Sequence, residues 1–124
     1  MKGAEKRILI VDDNLSILNV LSDVLEYSGY SVNTLSSAEI VFEKINDFLP
    51  DLILLDVMLG NFDGREICKK LKQKIETNAI PVILISAGYN FCDSMSQTFG
   101  PNDFVAKPFD LDVLLNKIEQ HLVA

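Results

Sequence analysis

Five polar side chains stand where short aliphatic runs end. Asp12 and Asp13 follow ILIV, Asp56 follows LILL, Ser86 follows VILI, and Lys107 follows FVA. In an open parallel sheet the carboxyl ends of the strands form one edge, and ligands bind beyond it near the point where strand order reverses. If these runs are strands of such a sheet, three carboxylates, a hydroxyl and an ammonium converge on that edge. Clustered carboxylates repel, which raises at least one pKa unless a cation joins them. The donors are all hard oxygens, with no His or Cys in the pattern, and this favours Mg²⁺ or Mn²⁺ over zinc. Magnesium keeps several waters and shares phosphate oxygens with its carboxylates, so the set points to phosphoryl chemistry. Within it, Asp56 fits the part of a nucleophile forming an acyl phosphate. Ser86 and the backbone N–H of Ala87 would donate hydrogen bonds to phosphoryl oxygens. Lys107 would neutralise a third oxygen, and pair with Asp56 before reaction.

Taken singly, each residue has a plainer reading. Polar residues at strand ends commonly form turns or cap helices, and Asp13 in particular stands where a cap for a following helix would be. The joint occurrence of all five in strand order is what argues for a site.

Those residues need a scaffold, and the pattern between them supplies one. Five short apolar runs alternate with segments of helical period, as in a parallel sheet wrapped by helices, an α/β fold. The strands expected are Arg7 to Val11, Ser31 to Leu35, Leu52 to Leu55, Val82 to Ile85 and Phe104 to Ala106. Three of them are apolar at consecutive positions, so both faces should be covered. A first helix over Leu15 to Tyr27 places Ile17, Leu18, Leu21, Val24 and Leu25 on one face, with Gly29 as its stop. Ser36 and Glu39 have the spacing of a capping box for a second helix reaching about Asn46, before Pro50 and Asp51 turn the chain. A third helix from Gly64 offers Ile67, Cys68, Leu71 and Ile75, and the last, from Asp110, offers Leu111, Leu114, Leu115, Ile118 and Leu122. The helix required over residues 88–99 is rich in Ser, Asn, Thr and Asp and should be short or mobile.

The length of 124 residues fits one domain, residues 1–124. With 48% hydrophobic and 23% charged residues, wholesale disorder is excluded. Eighteen acidic against eleven basic residues leave a net charge of −7, a field that repels nucleic acid and anionic membrane, so direct binding to either is not expected. No apolar run approaches the roughly 18 residues of a membrane span, and the N-terminal MKGAEKR has no signal-peptide core; a cytoplasmic location is expected. Cys68 and Cys92 fit no metal spacing and read as free thiols. His121, in the last turn of the final helix, reads as a solvated residue facing terminal carbonyls.

With ILIVDDN, LILLDVML followed by DG, the SA pair at Ser86 and Ala87, and DFVAKPF in order, the sequence resembles the receiver domains of two-component response regulators, of the single-domain chemotaxis-regulator type. The resemblance covers essentially the whole chain. It implies a (βα)5 doubly wound five-stranded parallel sheet with flavodoxin-like strand order 2-1-3-4-5. It makes Asp56 the phosphoacceptor for a histidine kinase or histidine phosphotransfer protein, in a self-catalysed, Mg²⁺-dependent reaction rather than that of a conventional enzyme. Asp13, Asp56 and the backbone carbonyl of Met58 would hold the metal, with Asp12 acting through water. The Lys107–Pro108 bond would be cis, aiming Lys107. Ser86 and Phe104 would form the switch: Ser86 moves toward the phosphoryl group, Phe104 rotates into the vacated space, and the surface around the fourth helix and fifth strand changes. The implied output is a downstream protein or a covalently linked domain, from a monomer or from a dimer formed on phosphorylation.

Three departures from the family pattern fall on the output side. Gly60 stands where the family commonly has proline, Pro101 where a small residue is usual, and the segment 88–99 is a weak helix. Rival readings are a phosphorylation-independent interaction module, a flavodoxin-like carrier, and a small phosphatase of the haloacid-dehalogenase type. The carrier is disfavoured because acids replace the phosphate-cradling groups that FMN needs. The phosphatase needs a second carboxylate two residues after the nucleophile, where Met58 stands.

Overall fold

A computed structural model describes residues 5–86 and 100–122. The helix expected over residues 88–99, the Ala87 N–H and Cys92 lie outside the described residues.

Strand β1 (Arg7–Val11) leads into helix α1 (Leu15–Tyr27), followed by β2 (Ser31–Leu35), α2 (Val41–Phe48) and β3 (Leu52–Asp56). Two very short strands, β4 (Met58–Leu59) and β5 (Phe62–Asp63), form a hairpin before α3 (Gly64–Gln73), and β6 (Val82–Ser86), β7 (Asp103–Ala106) and α4 (Leu111–Leu122) complete the described chain. The main sheet has the order β2-β1-β3-β6-β7 and is parallel throughout. Leaving out the hairpin, this is the expected 2-1-3-4-5 order, which puts the topological switch point between β1 and β3.

Strands β3 and β6 are buried at every residue, as their consecutive apolar runs require. The pleat divides their side chains between two cores. Leu9, Val11, Ile53, Leu55, Val82 and Leu84 pack with α2 and α3. Ile8, Ile10, Leu52, Leu54, Ile83 and Ile85 pack with α1 and α4. Helix α1 contributes Leu18, Leu21 and Leu25 to the second core, and each fully buried leucine is worth roughly 1.5–3 kcal/mol relative to exposure. Its end is a Schellman motif: Gly29 adopts φ 101°, its N–H donates to the Glu26 carbonyl at 3.0 Å, and that of Tyr30 donates to Leu25 at 3.1 Å. The glycine stop read from the sequence is therefore present.

Other local expectations are corrected. The capping box at Ser36 and Glu39 does not form: α2 begins at Val41 after Ile40, which makes no side-chain cap. Ser37 Oγ instead accepts the Glu39 N–H at 3.3 Å, a local turn that uses up these residues before the helix starts. Ile75 is not on the buried face of α3, since the helix ends at Gln73 and Ile75 is 88% exposed. Thr77 ends the segment by donating from Oγ1 to the Leu71 carbonyl at 2.6 Å. Among the described residues no helix is long and apolar enough to cross a membrane.

Candidate functional site at the carboxyl edge of the sheet

Strand alternation decides which residues meet. Ile8 and Ile10 face α1 and α4, so Asp12, two residues on, continues on that side of β1; Leu52 and Leu54 do the same for Asp56 on β3. Val105 also faces that side, and the ladder runs on past β7 through the Lys107 N–H, which donates to the Ser86 carbonyl at 2.9 Å. Lys107 thus arrives on the same side as both acids. Its Nζ lies 3.2 Å from Asp12 Oδ2 and 3.5 Å from Asp56 Oδ2. The expected pairing with Asp56 is present, but the shorter contact is to Asp12. The Lys107–Pro108 bond is cis, as the resemblance implied.

Asp12 is fully buried and Asp56 nearly so, whereas Asp13 is exposed. One carboxylate oxygen from each lies within 4.8 Å of the others. That spacing is roughly twice the metal–oxygen bond of a hard divalent cation, so the donor set fits Mg²⁺, with carboxylates on two sides and open water beside Asp13. Burial, and next the charge of Asp12, push the Asp56 carboxyl up to about 6; Lys107 and the Met58 N–H pull the other way. A bound cation would relieve the repulsion that causes this. Asp13 has no capping duty, because Asn14 caps α1 by accepting the Ile17 N–H at 3.2 Å. Asp12 Oδ1 accepts the Asn14 N–H at 2.9 Å, which fixes its carboxylate.

The segment after Asp56 is more ordered than a glycine-rich loop suggests. Met58 pairs with Asp63 and Leu59 with Phe62 around the two-residue turn Gly60–Asn61. Gly60 has φ 62°, whereas Asn61 does not have positive φ, the pattern of a type II′ turn, which takes glycine first. No atom lies within 4 Å of a Cβ built on Gly60, so backbone conformation rather than crowding requires the glycine. Met58 is 66% exposed, and its side chain lines a cavity of about 240 Å³ with Val57, Gly60, Asn61, Phe62 and Asp63. Its N–H donates to Asp56 Oδ1 at 3.3 Å. Asp63 caps α3 by accepting the Arg65 N–H at 2.9 Å, and the Arg65 side chain grips both its oxygens and holds its carboxyl below the usual carboxylate range.

Ser86 and Phe104 belong to the opposite phase. Leu84 faces the α2 and α3 side and is level with Phe104, which packs against that core; Ser86 lies two residues beyond Leu84 on the same side and is buried. The two expected switch residues therefore share a face, one pleat apart. Gly64 enters the sequence reading only as the glycine of the DG after LILLDVML and as the start of the third helix; its close approach to the Asp56 backbone is not read from the sequence. Reading the sequence also misplaced His121. Rather than facing terminal carbonyls, His121 Nε2 lies 3.1 Å from Asp103 Oδ2, and Lys117 Nζ donates to Asp103 Oδ1 at 2.8 Å. Burial opposes ionisation of Asp103, but hydrogen bonds from Lys117, His121 and the Phe104 N–H together hold its carboxyl below the ordinary range. Cys68 is a buried free thiol as expected, and burial raises its pKa to about 11.

The family model described as "Response regulator receiver domain" matches residues 8–119. The chain is 41% identical over 105 residues to the alkaline phosphatase synthesis transcriptional regulatory protein PhoP of Bacillus subtilis, covering 84% of this chain and 43% of that protein. It is 38% identical over 118 residues to the nisin biosynthesis regulatory protein NisR of Lactococcus lactis, covering 94% and 50%. The chain thus spans about half the length of these relatives. Among solved structures, a putative response regulator from Chloroflexus aurantiacus superposes with a TM-score of 0.86 at 31% identity, covering 96% of this chain and 98% of that one. A response regulator receiver domain protein (CheY-like) from Methanospirillum hungatei gives 0.85 at 30% identity, covering 96% and 94%. With the fold, the acidic edge and these matches in agreement, the chain belongs to the receiver domain family of two-component response regulators.

Proposed function

We propose that this receiver domain accepts a phosphoryl group on Asp56 from a histidine kinase or histidine phosphotransfer protein, in a Mg²⁺-dependent reaction, and switches a partner-binding surface in response. The observation that carries this reading is the junction of Asp12, Asp13 and Asp56 with a lysine that reaches both buried acids. Asp13, Asp56 and the Met58 carbonyl would hold the ion, with Asp12 acting through water. When bound, the ion screens the phosphoryl oxygens and lowers the cost of bringing one more anion into the acidic edge.

The Asp56 carboxylate attacks phosphorus in line with the phosphohistidine nitrogen. An O–P bond forms as the N–P bond breaks, and the electron pair leaves on the imidazole. Lys107 then exchanges its contact with Asp56 for one with a phosphoryl oxygen, keeping Asp12 as its second partner. Ser86 Oγ and the Ala87 N–H donate to the remaining oxygens. Because Ser86 and Phe104 share a face, movement of the hydroxyl toward Asp56 frees space on the side where the aromatic ring packs, which supports the relay assigned to Phe104. The output is a downstream protein or a linked domain; relatives roughly twice as long are named as regulatory proteins.

Incubation with acetyl phosphate and Mg²⁺, followed by intact mass, is expected to give one acid-stable, base-labile phosphoryl adduct, absent in Asp56→Asn and in EDTA. An unmodified wild-type chain would instead identify a phosphorylation-independent interaction module, and turnover of phosphate esters would identify a phosphatase.

A further inference from the structure

Two glycines follow Asp56, one in the turn of the hairpin and one just after it, and they are glycine for different reasons. Gly60 needs its positive φ and has open space around it. Gly64 does not have positive φ, so its backbone conformation is open to any residue. A Cβ there would collide with the Asp56 carbonyl oxygen and lie 2.9 Å from both the Asp56 carbonyl carbon and Val57 Cα. All three atoms are backbone, so no side chain can rotate away to make room. The Gly64 N–H also donates to the Val57 carbonyl at 2.7 Å. The first turn of α3 is therefore seated directly on the peptide that carries Asp56.

We infer that Gly64 is a positioning residue for phosphoryl transfer: by letting α3 abut the 56–57 peptide, it sets where the Asp56 carboxylate and the Met58 backbone stand relative to Asp12 and Asp13. This rests on the reading of Asp56 as phosphoacceptor. The coupling runs through three links. The Met58 N–H holds Asp56 Oδ1, Met58 pairs with Asp63, and Asp63 caps the helix that Gly64 begins. Ordinary carbon contacts lie at about 3.5–4.0 Å, so one added methyl must part the helix and the acceptor peptide by roughly 1 Å. A displacement of that size at a reacting group costs on the order of 10²-fold in rate.

The test compares Gly64→Ala with Ile67→Val, a substitution one turn along α3 in the core that also holds Val57, which removes a methyl and adds no atom against the acceptor backbone. In metal-free protein, the amide resonances of Val57 and Met58 should shift severalfold more in Gly64→Ala than in Ile67→Val. In calorimetric titration, Gly64→Ala should bind Mg²⁺ at least tenfold more weakly, and phosphorylation by acetyl phosphate at saturating Mg²⁺ should slow by about 10- to 100-fold. Ile67→Val should stay within twofold in both. Wild-type values in a folded Gly64→Ala would overturn the inference while leaving Asp56 as acceptor; a wild-type protein that is not phosphorylated would instead remove the reading beneath it. If Gly64→Ala does not fold, amide exchange in the wild type decides. The Gly64 N–H should exchange only through global unfolding, and exchange through a local opening of α3 would sink the proposal.

Discussion

Replacing Asp56 with asparagine should stabilise the metal-free protein at neutral pH, and the gain should disappear on acidification. Asp56 is only 4% exposed, and its carboxyl is raised from 3.8 to about 6 by burial and by Asp12. A carboxyl with a raised folded-state pKa supports folding fully below its unfolded value, and this support is lost as pH rises through the folded value. From pH 4 to pH 6 the unfolded chain gives up its proton while the native chain keeps it. That interval of about two pH units, at about 1.4 kcal/mol each, gives a penalty of about 3 kcal/mol at pH 7 and above. Asparagine mimics the protonated acid in shape and carries no charge, so the variant escapes the penalty. Urea unfolding in EDTA should place Asp56→Asn about 3 kcal/mol above wild type at pH 8, about 10 °C in Tm for a chain this long, with little difference near pH 4. Added Mg²⁺ should stabilise wild type preferentially and narrow the gap. A variant less stable than wild type at pH 8, or a gap that ignores pH, would mean that attraction to Lys107 outweighs burial and Asp12, and the electrostatic account of the site would be wrong.

Asp103 should behave in the opposite sense. Its depressed folded-state pKa adds stability above the unfolded value, lost as pH falls through the folded one. Asp103→Asn should thus cost about 1–2 kcal/mol at pH 7, with a gap that narrows below pH 4; equal urea midpoints at pH 7 would show that Lys117 and His121 contribute nothing there. Backbone conformation makes a paired prediction. Gly60→Ala should cost about 1–2 kcal/mol, because alanine disfavours φ 62° although its methyl has room. Leu49→Gly should gain about 0.5–1 kcal/mol, because this exposed leucine is held at φ 55°. Chemical denaturation checks both, and a reversal of either sign would mean that the turn relaxes to another conformation.

The sheet was legible in the sequence because strands covered on both faces must be written as unbroken aliphatic runs; the strand order came with the resemblance. Asp12, Asp56 and Lys107 were legible for a related reason: a charged residue ending such a run has to emerge at the sheet edge. The hairpin was not, since two-residue strands are too short to show a period. Ser36 and Glu39 had the spacing of a cap, but the same residue types also make turns, and Ile40 rather than Ser36 precedes the helix. His121 and Asp103 lie 18 positions apart, so no local pattern could join them. Gly64 reflects a close approach between distant backbone atoms, which sequence spacing does not encode.

The pleat of the sheet has a consequence for how such a domain can diversify. Along β1 and β3 the residues on the side of Asp12 and Asp56 carry even numbers, while on β6 and β7 the even-numbered Leu84, Ser86 and Phe104 face the other way. Acid chemistry and aromatic packing thus occupy opposite sides of one wall, joined through the main chain where Lys107 N–H meets the Ser86 carbonyl. Substitutions around Phe104 therefore meet the acids chiefly through Ser86 and this main-chain bond, and should retune them less than substitutions on the acids' own side of the wall.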